Sequence, residues 1–142
     1  MIKVSELLKN KGHDVWSIGP DASVYDAIKL MADKEVGALI VIEDSKLVGV
    51  ISERDYARKV ILKGQSSKDM QIKEIMTTRV IYTKPEQTVE ECMALMTEKH
   101  IRHLPIIEGE QLVRIISIGD LVKSIIAEQR FIIEQLGKYI SG

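Results

Sequence analysis

Apolar residues along this chain keep two rhythms, and the order of those rhythms occurs twice. Between residues 23 and 36, Val24, Ala27, Ile28 and Met31 recur at the three-and-four spacing of a helix with one buried face, and Val89, Cys92, Met93 and Met96 reproduce it further on. Each run opens on a hydroxyl residue with an acid three positions later, Ser23 with Asp26 and Thr88 with Glu91, the sequence of a helix-capping box. Compact Val/Ile/Leu runs follow at 38–42 and 47–51, and again at 104–107 and 112–116. Polar turns at Glu43-Asp44-Ser45 and Glu108-Gly109-Glu110 separate them, so each pair is predicted as a β-hairpin with both strands largely buried. Short strands at 15–18 and 80–83 stand ahead of the helices, and further helices are predicted to start at Ser52 and Ser117. Each unit therefore reads strand, helix, strand, strand, helix.

Displacing the chain by 65 positions lays residues 20–60 on residues 85–125 without a gap, and 13 of those 41 positions are identical. Two copies of so long a unit do not make a solenoid, which needs three or more short ones. The expected fold is α+β, two β-α-β-β-α repeats packed pseudo-symmetrically. At about sixty residues, either repeat alone would bury too little surface for comfortable stability, so a shared core is expected. The first repeat is read as residues 4–62, a polar linker with Gly64 and Ser66-Ser67 as 63–71, the second repeat as 72–128, and a helical extension as 129–142. Val4-Ser5-Glu6-Leu7-Leu8 and Ile72-Lys73-Glu74-Ile75-Met76 are similar leaders ahead of the two copies, shifted by three from the main register. The last helix, about 120–139, carries Leu121, Val122, Ile125, Ile126, Ile132, Ile133, Leu136 and Ile140, an apolar face longer than the repeat's own core needs. That surplus predicts a contact between copies, a homodimer, with a tail folded back on its own protomer as the alternative.

Composition narrows the classes further. The chain has 142 residues, 45% apolar and 29% charged, ordinary values for a globular protein. A net charge of −1 offers no long-range attraction to nucleic acid or to an anionic membrane, and no helix-turn-helix signature or basic stripe is present. No apolar run approaches the roughly twenty residues of a membrane span, and Met1-Ile2-Lys3-Val4-Ser5-Glu6 lacks a signal-peptide pattern. The single cysteine, Cys92, cannot form an internal disulfide, which favours a reducing compartment. A soluble, cytoplasmic protein with neither nucleic-acid nor membrane partners is expected.

The most specific local feature is Ser-x-x-Asp after an apolar strand, present as Ser52-Glu53-Arg54-Asp55 and as Ser117-Ile118-Gly119-Asp120. Its structural reading is a capping box, worth about 1 kcal/mol to a helix. Its functional reading starts from the place where a buried strand hands over to a helix, with free N–H groups facing whatever lies beyond the strand end. A carboxylate there can accept two hydrogen bonds side by side, and a ribose cis-diol offers that pair of donors. The serine hydroxyls would then face phosphate.

Together with Gly49-Val50-Ile51 ahead of the first motif, Ile101-Arg102-His103-Leu104-Pro105-Ile106-Ile107, Ile115-Ile116 ahead of the second and the leader Glu74-Ile75-Met76-Thr77, the chain resembles a tandem pair of cystathionine-β-synthase-type (CBS) domains, the Bateman module, over nearly its whole length. The stretch 52–67 and the long last helix are most similar to stand-alone CBS-pair proteins, which carry no attached enzyme or transporter. The resemblance implies clefts between paired units that hold an adenosine compound such as AMP, ADP, ATP, NAD(H) or S-adenosylmethionine. Carried over by motif, Asp55 and Asp120 would take ribose hydroxyls, with Ser52 and Ser117 beside them. Ile18, with Ile81 or Tyr82, would line adenine, and Leu39, Leu104 and Pro105 would form the opposite wall. Arg54, Arg58, Arg102 and His103 are the candidate phosphate ligands, since guanidinium groups grip phosphate oxygens in pairs. One departure stands out: Arg114 takes the place of Gly49, where the family prefers a small residue, and its side chain must either crowd the strand or reach solvent.

Catalysis has weaker support. Cys92 aligns with Ala27 on the core face of its helix and reads as a small buried hydrophobe. His100 and His103 straddle a helix end, His13 is isolated, and no further His or Cys lies at zinc spacing. Neither glycine-rich nucleotide motif, Gly-x-x-x-x-Gly-Lys nor Gly-x-Gly-x-x-Gly, occurs. The expectation is a sensor without metal or catalytic residues, whose repeats reorient on binding an adenine nucleotide and signal to a regulated partner protein. The rival is a ligand-free interaction module whose Ser-x-x-Asp motifs only cap helices.

Overall fold

The computed structural model describes residues 1–9 and 15–141; His13 lies outside them. In chain order the elements are α1 (Val4–Leu7), β1 (Ser17–Ile18), α2 (Val24–Lys34), β2 (Ala38–Glu43), β3 (Lys46–Ser52) and α3 (Glu53–Tyr56), which widens into a π-helical turn at Ala57–Ile61. A single 3-10 turn (Ile72–Glu74), α4 (Val89–Lys99), β4 (His103–Glu108), β5 (Gln111–Ser117) and α5 (Ile118–Ser141) complete the chain. Both predicted hairpins form. Ala38 pairs with Ser52 and His103 with Ser117, and each ladder carries its bulge at the equivalent place, Val41/Ile42 and Ile106/Ile107. α2 and α4 start on hydroxyl caps, with Ser23 Oγ accepting from the Asp26 amide at 3.0 Å and Thr88 closing a full box with Glu91. Both end on a residue in the left-handed region, Glu35 and His100, which turns the chain into the following strand.

The chain divides into two compact units, residues 15–81 and residues 1–14 with 82–142. Each sequence repeat therefore takes the other repeat's leader. Val24 donates its amide to Met70 O at 2.8 Å, Ile72 to Ala22 O at 2.9 Å and Lys73 to Pro20 O at 3.0 Å. The N-terminal leader makes the same three bonds in the other unit: Val89 to Ile2 O at 2.8 Å, Val4 to Gln87 O at 2.8 Å and Ser5 to Pro85 O at 2.9 Å. These are backbone bonds, satisfying amides at helix starts that would otherwise lack partners. The first unit's core gathers Val24, Ala27, Met31, Leu39, Val41, Ile51 and Val60 with the leader residues Ile72 and Ile75. In the other unit Val4, Val89, Cys92, Met96, Leu104, Ile106, Ile116 and Leu121 are fully buried.

One local expectation is corrected, and one of two alternatives is removed. The strand expected at 80–83 shrinks to one parallel bridge between Thr83 and Ile106. In the first repeat the ladder is extended by Trp16, just ahead of β1, whose carbonyl accepts from Ile40 N at 3.3 Å. The counterpart of Ile40 is Pro105, which has no N–H, so the ladder stops there. Arg114, for its part, does not reach solvent: it is only 6% exposed, and its Nη1 is buried without a hydrogen-bond partner among the described residues.

Candidate functional site

Each Ser-x-x-Asp motif sits at the end of its hairpin, where the last strand residue becomes the helix cap. Ser52 Oγ accepts from the Asp55 amide at 3.2 Å, while Asp55 Oδ2 accepts from Ser52 N at 2.9 Å and from its hydroxyl at 3.1 Å. Ser117 and Asp120 repeat the pair, with Ser117 Oγ accepting from Asp120 N at 3.2 Å and Asp120 Oδ2 from Ser117 N at 2.9 Å. The first amide of each helix donates to a backbone carbonyl across the hairpin, Glu53 to Gly37 O at 3.1 Å and Ile118 to Arg102 O at 2.9 Å. The capping reading is thus fully formed in both repeats. It engages one oxygen of each carboxylate in the bonds just given, out of roughly four acceptor positions per carboxylate.

In the first unit this geometry gathers Ser52, Asp55 and the half-buried Arg54 at one strand end, while Arg58 points out as an exposed residue. Lys59 was missed by the sequence reading. Its Nζ lies 3.0 Å from Asp55 Oδ1 and donates to Ile75 O at 2.8 Å, and its i,i+4 spacing from Asp55 was the available signal. In the other unit Arg102, His103, Ser117 and Asp120 come together, because β4 pairs His103 directly with Ser117. Arg102 is exposed and His103 half-buried. The candidate adenine walls divide differently. Leu39 and Leu104 are fully buried and Pro105 is buried, so their side chains serve the core. Ile18 and Ile81 are half-buried and Tyr82 is exposed. The structural counterpart of Ile18 is neither Ile81 nor Tyr82 but Thr83, buried, with Oγ1 donating to Gln87 Oε1 at 2.9 Å.

A cavity of about 300 Å³ in the first unit lies elsewhere, between the end of α2 and the start of α3, lined by Ile28, Met31, Ala32, Glu35, Val36, Gly37 and Glu53. Of the Ser52-Glu53-Arg54-Asp55 motif only Glu53 lines it, and the carboxylates of Glu35 and Glu53 at its wall disfavour a phosphate.

Burial pushes the His103 imidazole below its ordinary value; Asp120 opposes that shift and Arg102 adds to it. A histidine depressed in the folded state binds fewer protons there than in the unfolded chain, so its contribution is fully present above about pH 6.5 and is lost as pH falls below it. The urea midpoint is therefore expected to drop between about pH 7.5 and about pH 5.5, and His103→Gln is expected to flatten that part of the profile. An unchanged slope in the variant would remove His103 as the cause. Burial also pushes the Cys92 thiol up, against the lowering effect of its hydrogen bond with Thr83 at 3.3 Å, so the thiolate is disfavoured. Among the described residues no group of three or more His, Cys, Asp or Glu side chains is placed to hold a metal ion, and no helix is long and apolar enough to cross a membrane.

Comparison with known proteins adds the family context. The CBS domain family model matches twice, at residues 4–62 and 72–127. The mitochondrial CBS domain-containing protein CBSX3 of Arabidopsis thaliana is 40% identical over 149 aligned positions, covering 98% of this chain and 72% of that protein. A CBS-domain structure from Burkholderia ambifaria superposes with a TM-score of 0.87 at 51% identity, over 89% of this chain and 96% of that one. The CBS domain pair of protein MJ0100, solved with 5-methylthioadenosine and S-adenosyl-L-methionine, shares the fold at a TM-score of 0.79 and 22% identity, over 90% of this chain and 98% of that one.

Proposed function

The chain belongs to the CBS-domain family as a tandem pair, and from that premise we propose that it is a regulatory module that binds an adenine nucleotide, AMP, ADP, ATP or NAD(H). The observation that carries this reading is the duplicated carboxylate. Asp55 and Asp120 occupy the same strand-to-helix junction in both repeats, half-buried, each held in place by its serine. An acceptor pre-set by local bonds loses little freedom when it takes a sugar hydroxyl. Arg54 inside the first motif, and Arg102 with His103 at the start of the strand paired to the second, supply cationic or proton-donating groups for phosphate. That the related pair of MJ0100 was solved with two adenosine compounds supports the ligand class.

The module acts by binding rather than by making bonds, in keeping with a buried Cys92 whose thiolate is disfavoured. A nucleotide shifts the balance between conformations only by its difference in affinity for them, and a partner protein reads the favoured one. The second reading, a ligand-free module, is favoured by one observation: the serine and acid of each motif bond to one another reciprocally, which gives both motifs a complete role as helix caps.

Thermal denaturation against AMP, ADP, ATP, NADH and S-adenosylmethionine separates the two. A true ligand at a hundred times its dissociation constant is expected to add about 2.7 kcal/mol of stability. Unchanged melting with all five would leave the capping role alone standing.

A further inference from the structure

Asp55 is not an open carboxylate. Its Oδ2 accepts from the Ser52 amide at 2.9 Å and from the Ser52 hydroxyl at 3.1 Å, and Lys59 Nζ lies 3.0 Å from its Oδ1. Those bonds leave about one of the roughly four acceptor positions that a carboxylate offers. A ribose cis-diol brings two donors side by side, so it seats both on Asp55 only by displacing a bond already there.

Lys59 is the partner that can yield. The Ser52 amide belongs to the strand-to-helix junction and cannot turn away without opening the capping box. The Lys59 side chain is 41% exposed, against 14% for Asp55, so its ammonium exchanges the carboxylate for water with little loss. It also keeps a second anchor when it does, since Nζ donates to Ile75 O at 2.8 Å. On the reading that Asp55 holds ribose, we propose that Lys59 is a latch on that carboxylate. The diol must lift it, and the lysine thereby sets how sharply the first motif tells ribose from deoxyribose.

The surrounding chain makes this device particular to the first repeat. Lys59 stands in the π-helical turn Ala57–Ile61, where Leu62 N donates to Ala57 O at 3.1 Å. Single π-helical turns inside helices recur at functional sites. In the second repeat α5 runs on as an α-helix from Ile118, and Ser124 takes the place of Lys59 and offers no cation. The carboxylates are duplicated, but the latch is not.

Adenosine and 2′-deoxyadenosine carry no phosphate for the Lys59 charge to attract, so their binding isolates the competition for Asp55. Asp120→Asn leaves the first motif as the one intact carboxylate site. In that chain, Lys59→Met is expected to tighten adenosine by about three- to fivefold. An ion pair with an exposed partner contributes up to about 1 kcal/mol, which is about fivefold in affinity. The deoxynucleoside needs only the acceptor position already open, so its affinity is expected to stay where it was. Lys59→Arg keeps a cation in place and is expected to leave both affinities unchanged. Titration calorimetry on the full chain measures all of these. Adenosine binding that Lys59→Met weakens or leaves unchanged overturns the latch, as does an equal gain for both nucleosides; a loosened fold would only weaken both. Failure of the nucleotide reading looks different: the parent chain then binds neither adenosine nor AMP, and the latch falls with it.

Discussion

Asp55→Ala and Asp120→Ala, made together, are expected to weaken adenine-nucleotide binding by a hundredfold or more while the protein stays folded. Each carboxylate would lose two charge-assisted bonds to a ribose diol. Hydrogen bonds to charged groups contribute about 1.5–3 kcal/mol apiece, and about 2.7 kcal/mol already corresponds to a hundredfold in affinity. The folding cost is smaller, since breaking a capping interaction costs about 1 kcal/mol. Asp→Asn at the same positions separates the roles. Asparagine keeps a carbonyl oxygen for Ser52 N and Ser117 N, so the caps survive, but it removes the charge and the paired acceptors. Titration calorimetry alongside urea denaturation checks both halves. Alanine variants that unfold but, where folded, bind normally would assign these acids to capping alone.

Gly49→Val is expected to destabilise the first unit severely, by about 3 kcal/mol or more. A Cβ at Gly49 would lie 2.8 Å from Met76 Sδ and 2.9 Å from Thr77 O. The methionine side chain can move, but Thr77 cannot: its amide donates to Val50 O at 2.9 Å and its carbonyl accepts from Val50 N at 3.0 Å. Making room means breaking that bridge. Gly49→Ala should fall on the same side with a smaller loss. The measurement is the urea midpoint, and a midpoint within error of the parent would show that the leader yields freely. The same position in the other repeat is Arg114, buried rather than clashing. Its leader behaves differently there, since Lys9, the counterpart of Thr77, donates its amide back to Glu6 O at 3.3 Å. Within this chain, the need for a small residue at Gly49 follows from the leader segment that covers it.

Much of the candidate site was legible in advance because its geometry is local. A serine and an acid three residues apart, at the end of an apolar run, can close a capping box with bonds spanning only three residues, and both boxes form. The hairpin register brought His103 beside Ser117 for the same reason, a two-residue turn between matched apolar runs. The adenine wall was less legible. Ile81 and Tyr82 looked equivalent to Ile18 only while a full strand was assumed at 80–83, and the missing N–H of Pro105 moves the equivalence to Thr83. Leu39 and Leu104 lie in runs that read as largely buried strands, and both side chains are fully buried.

What the sequence determined by itself was the duplicated unit, its helices and hairpins, the paired carboxylates and the long apolar face of α5. All of these are written in side-chain pattern over short distances, where periodicity and capping chemistry act. Only the tertiary structure decided that each leader belongs with the repeat it does not precede. That choice is made by backbone amides and carbonyls, which every residue but proline offers alike. Two leaders of nearly the same sequence fit either repeat on paper, and the folded chain selects by where those bonds can close.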